Sequence, residues 1–226
     1  INNPIKESKL NIIKTNLEVY RVFDTFFHDE KFYIAYITKE NDCRKINVSV
    51  AKFNQDSLIF NKLFFPNECN ETGAIGRMQF YNHQGKPGIL ITTAEGEHDK
   101  PGENAQNDES VFGKTLFLDL NNQNYFIFSK GHRVIQGLYT EGNLILSSEH
   151  GPRGGDEINK IILNGNYGWP ISSYGERYDF TYQKNPYYKK KHESLNFEEP
   201  IFAFVQSIGI SEILKLPNKF SNFFHN

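Results

Sequence analysis

The strongest constraint on this chain is the recurrence of short apolar and aromatic runs, about ten residues apart, between turns rich in Gly, Asn, Asp and Pro. Within runs such as 31–37 and 45–50, apolar and polar side chains alternate with the period of a β-strand rather than of a helix. Aromatic residues make up 15% of the chain, which also favours sheets whose faces stack large rings. The pattern predicts an all-β sandwich, barrel or propeller with little helix.

The runs fall into groups of four that recur about every 55 to 60 residues, the spacing of propeller blades. We expect segment 168–173 to be the fourth strand of the third group, and segments 201–208 and 212–216 to open a further group. The sequence thus predicts one β-propeller domain of four-stranded blades over 1–226. The expected blades are 19–65, 75–128, 134–173 and 200–226.

An unclosed propeller blade leaves an apolar face and a strand edge exposed, so propellers normally close into a ring. Three to four blades do not make a usual ring, and residues 219–226 look like the approach to another strand. We therefore expect an incomplete set of blades, which either belongs to a longer protein or is stabilised by an unusual open or assembled form.

The formal net charge is only −2, which gives no long-range attraction to nucleic acid or to anionic lipid. No apolar run approaches the roughly 18 to 20 residues that a membrane span requires. The motifs of serine hydrolases, zinc proteases, P-loop enzymes and dinucleotide-binding folds are absent from the sequence. The composition therefore does not identify a partner, which has to be argued from the candidate sites.

The chain has two cysteines, Cys43 and Cys69. Two cysteines so far apart exclude a CxxC zinc site and a disulfide-dense scaffold. One disulfide between two loops and two unrelated free thiols both fit the sequence. The compartment would decide between them, since a disulfide requires an oxidising one.

A glycine-rich segment, 151–157, has the composition of a loop that holds a hard cation. Its Gly-Pro-x-Gly-Gly turn bends backbone carbonyls inward, while Asp156 and Glu157 supply negative charge, and calcium prefers such oxygen ligands. The alternative is that the two carboxylates cap the turn or pair with Arg153. The same letters spell most of a diguanylate cyclase signature, but the next residue is Ile158 and the flanks lack helix signals.

Segment 131–170 reads GHRVIQGL, then EHGPRGGDEINKI, then NYGWP. In this order the motifs resemble the glucose/sorbosone dehydrogenase family, six-bladed propellers that bind pyrroloquinoline quinone (PQQ) and calcium. Weaker similarity extends over about 20–215, with Gly-Arg-Met at 76–78 similar to the Gly-Arg-Leu of the family. The resemblance implies oxidation of an aldose sugar by hydride transfer to the quinone, in a periplasmic or secreted protein. Which sugar is oxidised does not follow from it.

The resemblance also assigns roles to individual residues. Arg133 would point its guanidinium at the quinone oxygen, where a fixed cation stabilises developing charge, although an ordinary strand-end arginine is the alternative. The carbonyls of Gly151 and Pro152 would contact the calcium beneath the quinone. A second, structural calcium would be held by Asp156, Glu157 and the backbone near Tyr167.

Two histidines flank these segments. His132 precedes Arg133, and we expect it to be a packed or hydrogen-bonded core residue rather than a catalytic one. His150 lies beside the glycine-rich loop, and we expect it to support the cation site without being a ligand.

Several positions depart from the family pattern. The resemblance places the general-base histidine at Gly73, the quinone-polarising asparagine at Val134 and its neighbouring proline at Ile135, and it aligns a Gly-Asp pair with Ala94-Glu95. Glu95 is a conceivable substitute base, but nothing in the sequence positions it. A quinone-dependent dehydrogenase with its base supplied from elsewhere and a non-catalytic sugar- or partner-binding propeller both remain open. We expect impaired or absent catalysis.

Overall fold

A computed structural model describes residues 13–53, 57–96, 103–176 and 192–217. These residues form an almost entirely β structure, with one short α-helix (α1, Glu103–Gln106) and one 3-10 helix (His192–Leu195). The expected strand approach at 219–226 lies outside the described residues. The strands, in chain order, are β1 (Lys14–Thr15), β2 (Arg21–His28), β3 (Lys31–Glu40), β4 (Cys43–Lys52), β5 (Ser57–Leu58), β6 (Asn61–Phe64), β7 (Ile75–His83), β8 (Lys86–Thr93), β9 (Lys114–Asp119), β10 (Tyr125–Lys130), β11 (Ile135–Glu141), β12 (Leu144–Glu149), β13 (Asp156–Lys160), β14 (Gly165–Asn166) and β15 (Phe202–Phe204).

The strands form three antiparallel blades that follow one another along the chain. The first blade has the order β2-β3-β4-β6, the second β7-β8-β9-β10, and the third β11-β12-β13-β15. The short strand β14 adds to the outer edge of the second blade in parallel with β10, and β1 pairs with β5 as a separate two-stranded ribbon. The expected all-β propeller of four-stranded blades is confirmed.

Apolar layers hold neighbouring blades together. The layer between the first and second blades includes Ile37 and Ile46 packed against Ile89 and Leu116. Between the second and third blades, aromatic rings meet aliphatic side chains of β11, β12 and the residue after β13. The inner strand β7 contacts both β2 and β11, so that the first strands of the blades face a common axis, as in a propeller.

The fourth strand of the third blade differs from the sequence expectation. Segment 168–173 was expected there, but the strand that pairs with β13 is β15, with Ile158 opposite Phe202. Segment 168–173 instead turns back on itself, since the N–H groups of Ile171 and Ser172 both donate to the carbonyl of Gly168. Pro170 within this segment has no N–H to donate to a strand partner, which disfavours a place inside a sheet.

The expectation of a further group of strands after residue 200 was also wrong in detail. Only Phe202–Phe204 of segment 201–208 is a strand, and it completes the third blade. Segment 212–216 contains no strand. Among the described residues, this segment therefore pairs with no strand.

Cys43 and Cys69 form a disulfide with a Cα–Cα distance of 5.4 Å. The bond joins the start of β4 to the loop after β6. Next to it, Arg44 and Asn70 exchange two backbone hydrogen bonds of 3.0 and 3.2 Å. The disulfide and this backbone pair together fix the loop that leads into the second blade.

No helix among the described residues is long and apolar enough to cross a membrane.

We predict that the double substitution Cys43→Ser and Cys69→Ser lowers the free energy of unfolding by about 3 to 4 kcal/mol, because the bond closes a loop across a sequence separation of 26. Urea unfolding of the variant and the parent protein measures the difference. Quantitative thiol titration of the unfolded parent protein should find no free thiol. Two free thiols, or an unchanged unfolding midpoint, would contradict the prediction.

Candidate functional site

Loops from the second and third blades converge on one face of the structure. Alternate strands of an antiparallel sheet run in the same direction, so β8 and β10 end at the same edge. Backbone hydrogen bonds then join the loops that follow them: Glu95 N–H donates to the Arg133 carbonyl at 3.0 Å, and Trp169 N–H donates to the Gly131 carbonyl at 3.0 Å. His150 N–H reaches the Val134 carbonyl in the same way. The segments that carry the sequence motifs are thus joined directly.

The glycine-rich loop after β12 is folded tightly on itself. A Cβ atom added to Gly151 would lie 2.2 Å from the Gly154 carbonyl oxygen and 2.3 Å from that of Gly155. No residue other than glycine leaves room for this approach of two carbonyls. The carbonyl oxygens of Gly154 and Gly155 therefore pack directly against Gly151.

The carboxylate of Asp156 anchors this loop. One of its oxygens accepts the Gly151 N–H at 3.1 Å, and the other accepts the Ser207 hydroxyl at 2.9 Å and the backbone N–H groups of 208–210. Burial acts to raise the pKa of Asp156, but these hydrogen bonds outweigh it, so the pKa lies below its ordinary value. Both oxygens of Asp156 therefore face hydrogen-bond donors of the protein, the turn-capping arrangement that was the alternative to metal binding.

Arg133 lies against the loop with its charged group. Its Nη1 donates to the carbonyls of Gly151 at 2.9 Å and His150 at 3.3 Å. The guanidinium carbon also lies 5.4 Å from the ring centroid of Trp169, within the range of a cation–π contact. Its Nε is buried and has no hydrogen-bond partner among the described residues.

His132 and Glu149 form a buried pair behind Arg133. His132 is fully buried, with Nδ1 3.0 Å from Glu149 and Nε2 2.8 Å from the Ser129 hydroxyl, and its ring stacks on Tyr167. The second oxygen of Glu149 accepts the backbone N–H of Arg133. His132 is thus a hydrogen-bonded core histidine in this structure, and Glu149 fixes the backbone from which Arg133 extends.

His150 contacts the segment that follows β15. Its Nε2 lies 2.5 Å from the Ile210 carbonyl, in the segment that also bonds to Asp156. The side chain therefore helps to hold the segment after β15 against the glycine-rich loop.

Glu157 is a buried carboxylate in an acidic neighbourhood. Burial, and then repulsion by Glu149, raises the pKa of Glu157 to about 8. Asn159 donates a hydrogen bond to it at 3.2 Å, and Nε2 of His192 lies 4.0 Å away. A buried carboxylate beside other carboxylates favours either a bound proton or a bound cation.

A small cavity of about 10 Å³, close to the volume that one water-sized particle occupies, lies among these residues. Most of the residues singled out from the sequence line this cavity. The exceptions include Asp156, His132, Val134 and Gly73. The lining includes Arg133, His150, Gly151, Pro152, Glu157 and Tyr167 together with Glu149, Trp169 and His192.

Tyr167 lies at the wall of this cavity and is held by its hydroxyl group. The hydroxyl donates to the Lys160 carbonyl at 2.6 Å and accepts the Ile162 N–H at 3.0 Å. Burial raises the pKa of the Tyr167 hydroxyl far above its ordinary value, so it stays neutral. The side chain is therefore held in place by two backbone groups.

The contact between Trp169 and Glu95 beside the candidate site did not follow from the sequence. The indole Nε1 of Trp169 donates to the carboxylate of Glu95, and both side chains are buried. Gln106 of α1 donates to the Trp169 carbonyl at 2.6 Å. Trp169 was visible only as part of the NYGWP motif, and its partner Glu95 lies 74 residues earlier in the chain.

Gly73 lies in a buried turn beside the disulfide. Its φ is +54°, and an added Cβ would lie 2.5 Å from the Cβ of Arg44. The turn is held by Asn70, whose side-chain oxygen accepts the N–H groups of Thr72 and Gly73. No side chain fits at position 73 without a shift of the neighbouring strand.

Among the described residues, no group of three or more His, Cys, Asp or Glu side chains has the arrangement of a metal site. A cation in the cavity would have to be bound by backbone carbonyls together with no more than two such side chains. Calcium accepts such ligand sets, because carbonyl and carboxylate oxygens are interchangeable in its coordination sphere.

Comparison with known proteins agrees with the motifs. A sequence profile of the family described as Glucose / Sorbosone dehydrogenase matches residues 17–225. Quinoprotein glucose dehydrogenase B of Acinetobacter calcoaceticus is 36% identical over 144 residues, which are 62% of this chain and 26% of that protein. Aldose sugar dehydrogenase YliI of Escherichia coli is 46% identical over 54 residues, 23% of this chain and 15% of that protein.

Solved structures show the same fold. The apo form of the soluble aldose sugar dehydrogenase from Escherichia coli matches with a TM-score of 0.66 at 25% identity, over 81% of this chain and 56% of that one. The PQQ-bound aldose sugar dehydrogenase from Streptomyces coelicolor matches with a TM-score of 0.54 at 19% identity, over 77% of this chain and 49% of that one. The chain thus spans about half the length of these structures. From the profile match and the blade architecture together, the chain belongs to the glucose/sorbosone dehydrogenase family.

Proposed function

We propose that this protein is a calcium-binding propeller of the PQQ-dependent aldose dehydrogenase type in which hydride transfer is impaired or lost. The observation that carries the proposal is the buried Nε of Arg133, which has no partner among the described residues and belongs to a side chain lining the cavity beside Gly151. Buried donors are rarely left unpaired, so this N–H group fits an acceptor oxygen brought by a ligand. A quinone oxygen is such an acceptor.

The residues present fit the quinone in a second respect. When bound, PQQ supplies the hydride-accepting carbon of the reaction. Arg133 would donate to the quinone oxygen and stabilise negative charge there, because its guanidinium is held by two backbone carbonyls and by the Trp169 face. Arg133 is thus oriented before any ligand arrives.

The carbonyls of Gly151 and Pro152 would hold the calcium that accompanies the quinone. Gly151 already accepts one hydrogen bond from Arg133, and a carbonyl oxygen has a second lone pair for a cation. The close packing of Gly151 against Gly154 and Gly155 keeps the carbonyl direction constant. The loop therefore fits a hard cation without rearrangement of its backbone.

The second, structural calcium would be bound by the carboxylate of Glu157 and the backbone carbonyl of Tyr167. The cavity has room for about one ion, and the carboxylates of Glu149 and Glu199 add negative charge nearby. Asp156, which was expected among these ligands, would contribute through loop geometry, because both of its oxygens accept hydrogen bonds. This assignment makes calcium a part of the fold as well as of the site.

The missing base is the reason to propose impaired catalysis. The family histidine that takes the proton of the sugar hydroxyl corresponds to Gly73, and the space around Gly73 is filled by Arg44. Loss of a positioned base typically lowers a rate by about 10² to 10⁴. The same observation favours the second candidate, a propeller that binds a sugar or a partner without oxidising it.

The disulfide supports the expected location. Disulfides persist in oxidising compartments, and Cys43 and Cys69 are bonded. We therefore propose a periplasmic or secreted protein, in agreement with the family resemblance.

The proposed function is tested by adding PQQ and calcium chloride to the purified protein. Binding should quench the fluorescence of Trp169, which is the single tryptophan of the chain. Addition of glucose should then reduce the quinone at a rate at least about 100-fold below that of the Escherichia coli aldose sugar dehydrogenase, measured by quinone absorbance. Failure to bind PQQ would refute the dehydrogenase-type site, and a rate equal to that of the Escherichia coli enzyme would refute impaired catalysis.

Calcium should remove a pH dependence of stability that Glu157 creates. The carboxyl has a pKa of about 8 in the folded protein against an ordinary value of 4.5, so the folded state holds one more proton than the unfolded state between these values. Without calcium, stability should therefore fall as the pH rises from 4.5 to about 8. Calcium at about 100 times its Kd should add about 3 kcal/mol and flatten the curve at high pH.

The measurement is the thermal midpoint across this pH range, in EDTA and in calcium chloride. Glu157→Gln should flatten the EDTA curve and abolish the calcium effect. Glu109→Gln, at an exposed carboxylate, is the matched control and should change neither. An unchanged slope in Glu157→Gln would refute the assignment.

The space at position 73 is tested by alanine substitutions at two glycines of nearly equal φ. Gly142 has φ +57° with no atom within 4 Å of an added Cβ, whereas the Cβ at Gly73 meets Arg44. Gly142→Ala should cost about 1 to 2 kcal/mol from backbone strain alone. Gly73→Ala should cost about 1 to 3 kcal/mol more, by urea unfolding, because of the steric clash. Equal costs would show that position 73 can accept a side chain.

A further inference from the structure

The carboxylate of Glu95 is placed to act on Arg133 through the ring of Trp169. Glu95 accepts the indole N–H of Trp169, and Arg133 lies over the face of the same ring at 5.4 Å. Glu95 is 9% exposed and Trp169 5%, so these contacts are shielded from water. In such surroundings electrostatic interactions are stronger than at the surface.

Separate hydrogen bonds hold the backbone and the side chain of Trp169. The backbone N–H of Trp169 donates to Gly131, its carbonyl accepts from Gln106, and its indole N–H is bound by Glu95. The backbone N–H of Glu95 in turn donates to the Arg133 carbonyl at 3.0 Å. The ring plane of Trp169 therefore has a fixed orientation relative to Arg133.

A carboxylate bound to the indole N–H increases the electron density of the ring. The face of the ring then attracts a cation more strongly, because the cation–π contact depends on the negative potential of that face. The guanidinium of Arg133 is the cation at this face, and its Nη1 is directed at the Gly151 carbonyl.

We infer that Glu95 is a positioning residue, which holds the Arg133 guanidinium towards the ligand cavity through Trp169. The inference rests on the proposed function only for the identity of the ligand that Arg133 meets. It gives Glu95 a role other than that of a substitute base, because its carboxylate is engaged by Trp169 and does not line the cavity.

The first test needs no cofactor. Trp169 gives a single indole N–H resonance in the NMR spectrum, since it is the only tryptophan. Glu95→Gln should shift this resonance upfield and should also shift the Nε resonance of Arg133. Glu109→Gln is the control, and it should shift neither resonance. An unshifted Arg133 resonance in Glu95→Gln overturns the inference.

The second test measures PQQ affinity by calorimetry in calcium chloride. Glu95→Gln should weaken binding about tenfold, the effect expected for a shielded, charge-assisted contact. Trp169→Phe keeps a ring but removes the N–H donor, so Glu95→Gln in the Trp169→Phe background should have less than about a twofold further effect. Equal losses in both backgrounds would overturn the inference.

The two tests separate this inference from the proposed function. If the parent protein does not bind PQQ, the proposed function is refuted, and the NMR comparison of Glu95→Gln with Glu109→Gln still decides the role of Glu95. If PQQ binds and the Arg133 resonance is unmoved, the proposed function stands and the positioning role is refuted.

Discussion

The rest of the site depends on the hydrogen bonds that the carboxylate of Asp156 accepts. It joins the Gly151 N–H to the N–H groups of 208–210, so that the glycine-rich loop and the segment after β15 are held by one charged group. Hydrogen bonds to a charged acceptor are stronger than those between neutral groups, and these are partly shielded from solvent. The loop can therefore keep the conformation in which the Gly151 carbonyl accepts a hydrogen bond from Arg133.

A second carboxylate, Glu149, organises the opposite wall. It accepts the Arg133 backbone N–H with one oxygen and contacts His132 with the other. Asp156 and Glu149 are thus committed to protein donors, whereas Glu157 has a raised pKa and a neighbourhood of other carboxylates. Two of these three nearby carboxylates therefore accept backbone hydrogen bonds, whereas burial and neighbouring carboxylates raise the pKa of the third.

The sequence identified many residues of the site but not the contacts between them. Arg133, Gly151, Pro152 and Glu157 were identified from the family resemblance and from the composition of the glycine-rich loop, and they line one cavity. Glu95 was named in the sequence but could not be positioned, since its contact with Trp169 spans 74 residues and depends on the packing of two blades. The strand after β13 was misplaced for a similar reason: β-pairing between residues 158 and 202 crosses a long intervening segment, and local alternation contains no information about such partners.

The sequence by itself determined the all-β class, the grouping of strands into the first two blades and the glycine-rich loop, because these follow from alternation, turn residues and the small size of glycine. Only the tertiary structure decided that Cys43 and Cys69 are bonded, that Asp156 is saturated with donors and that Gly73 has no space for a side chain. The physical reason is that a local pattern reports the conformation of a segment. Whether a buried group has a partner, or a position has room, depends on atoms brought together from distant parts of the chain.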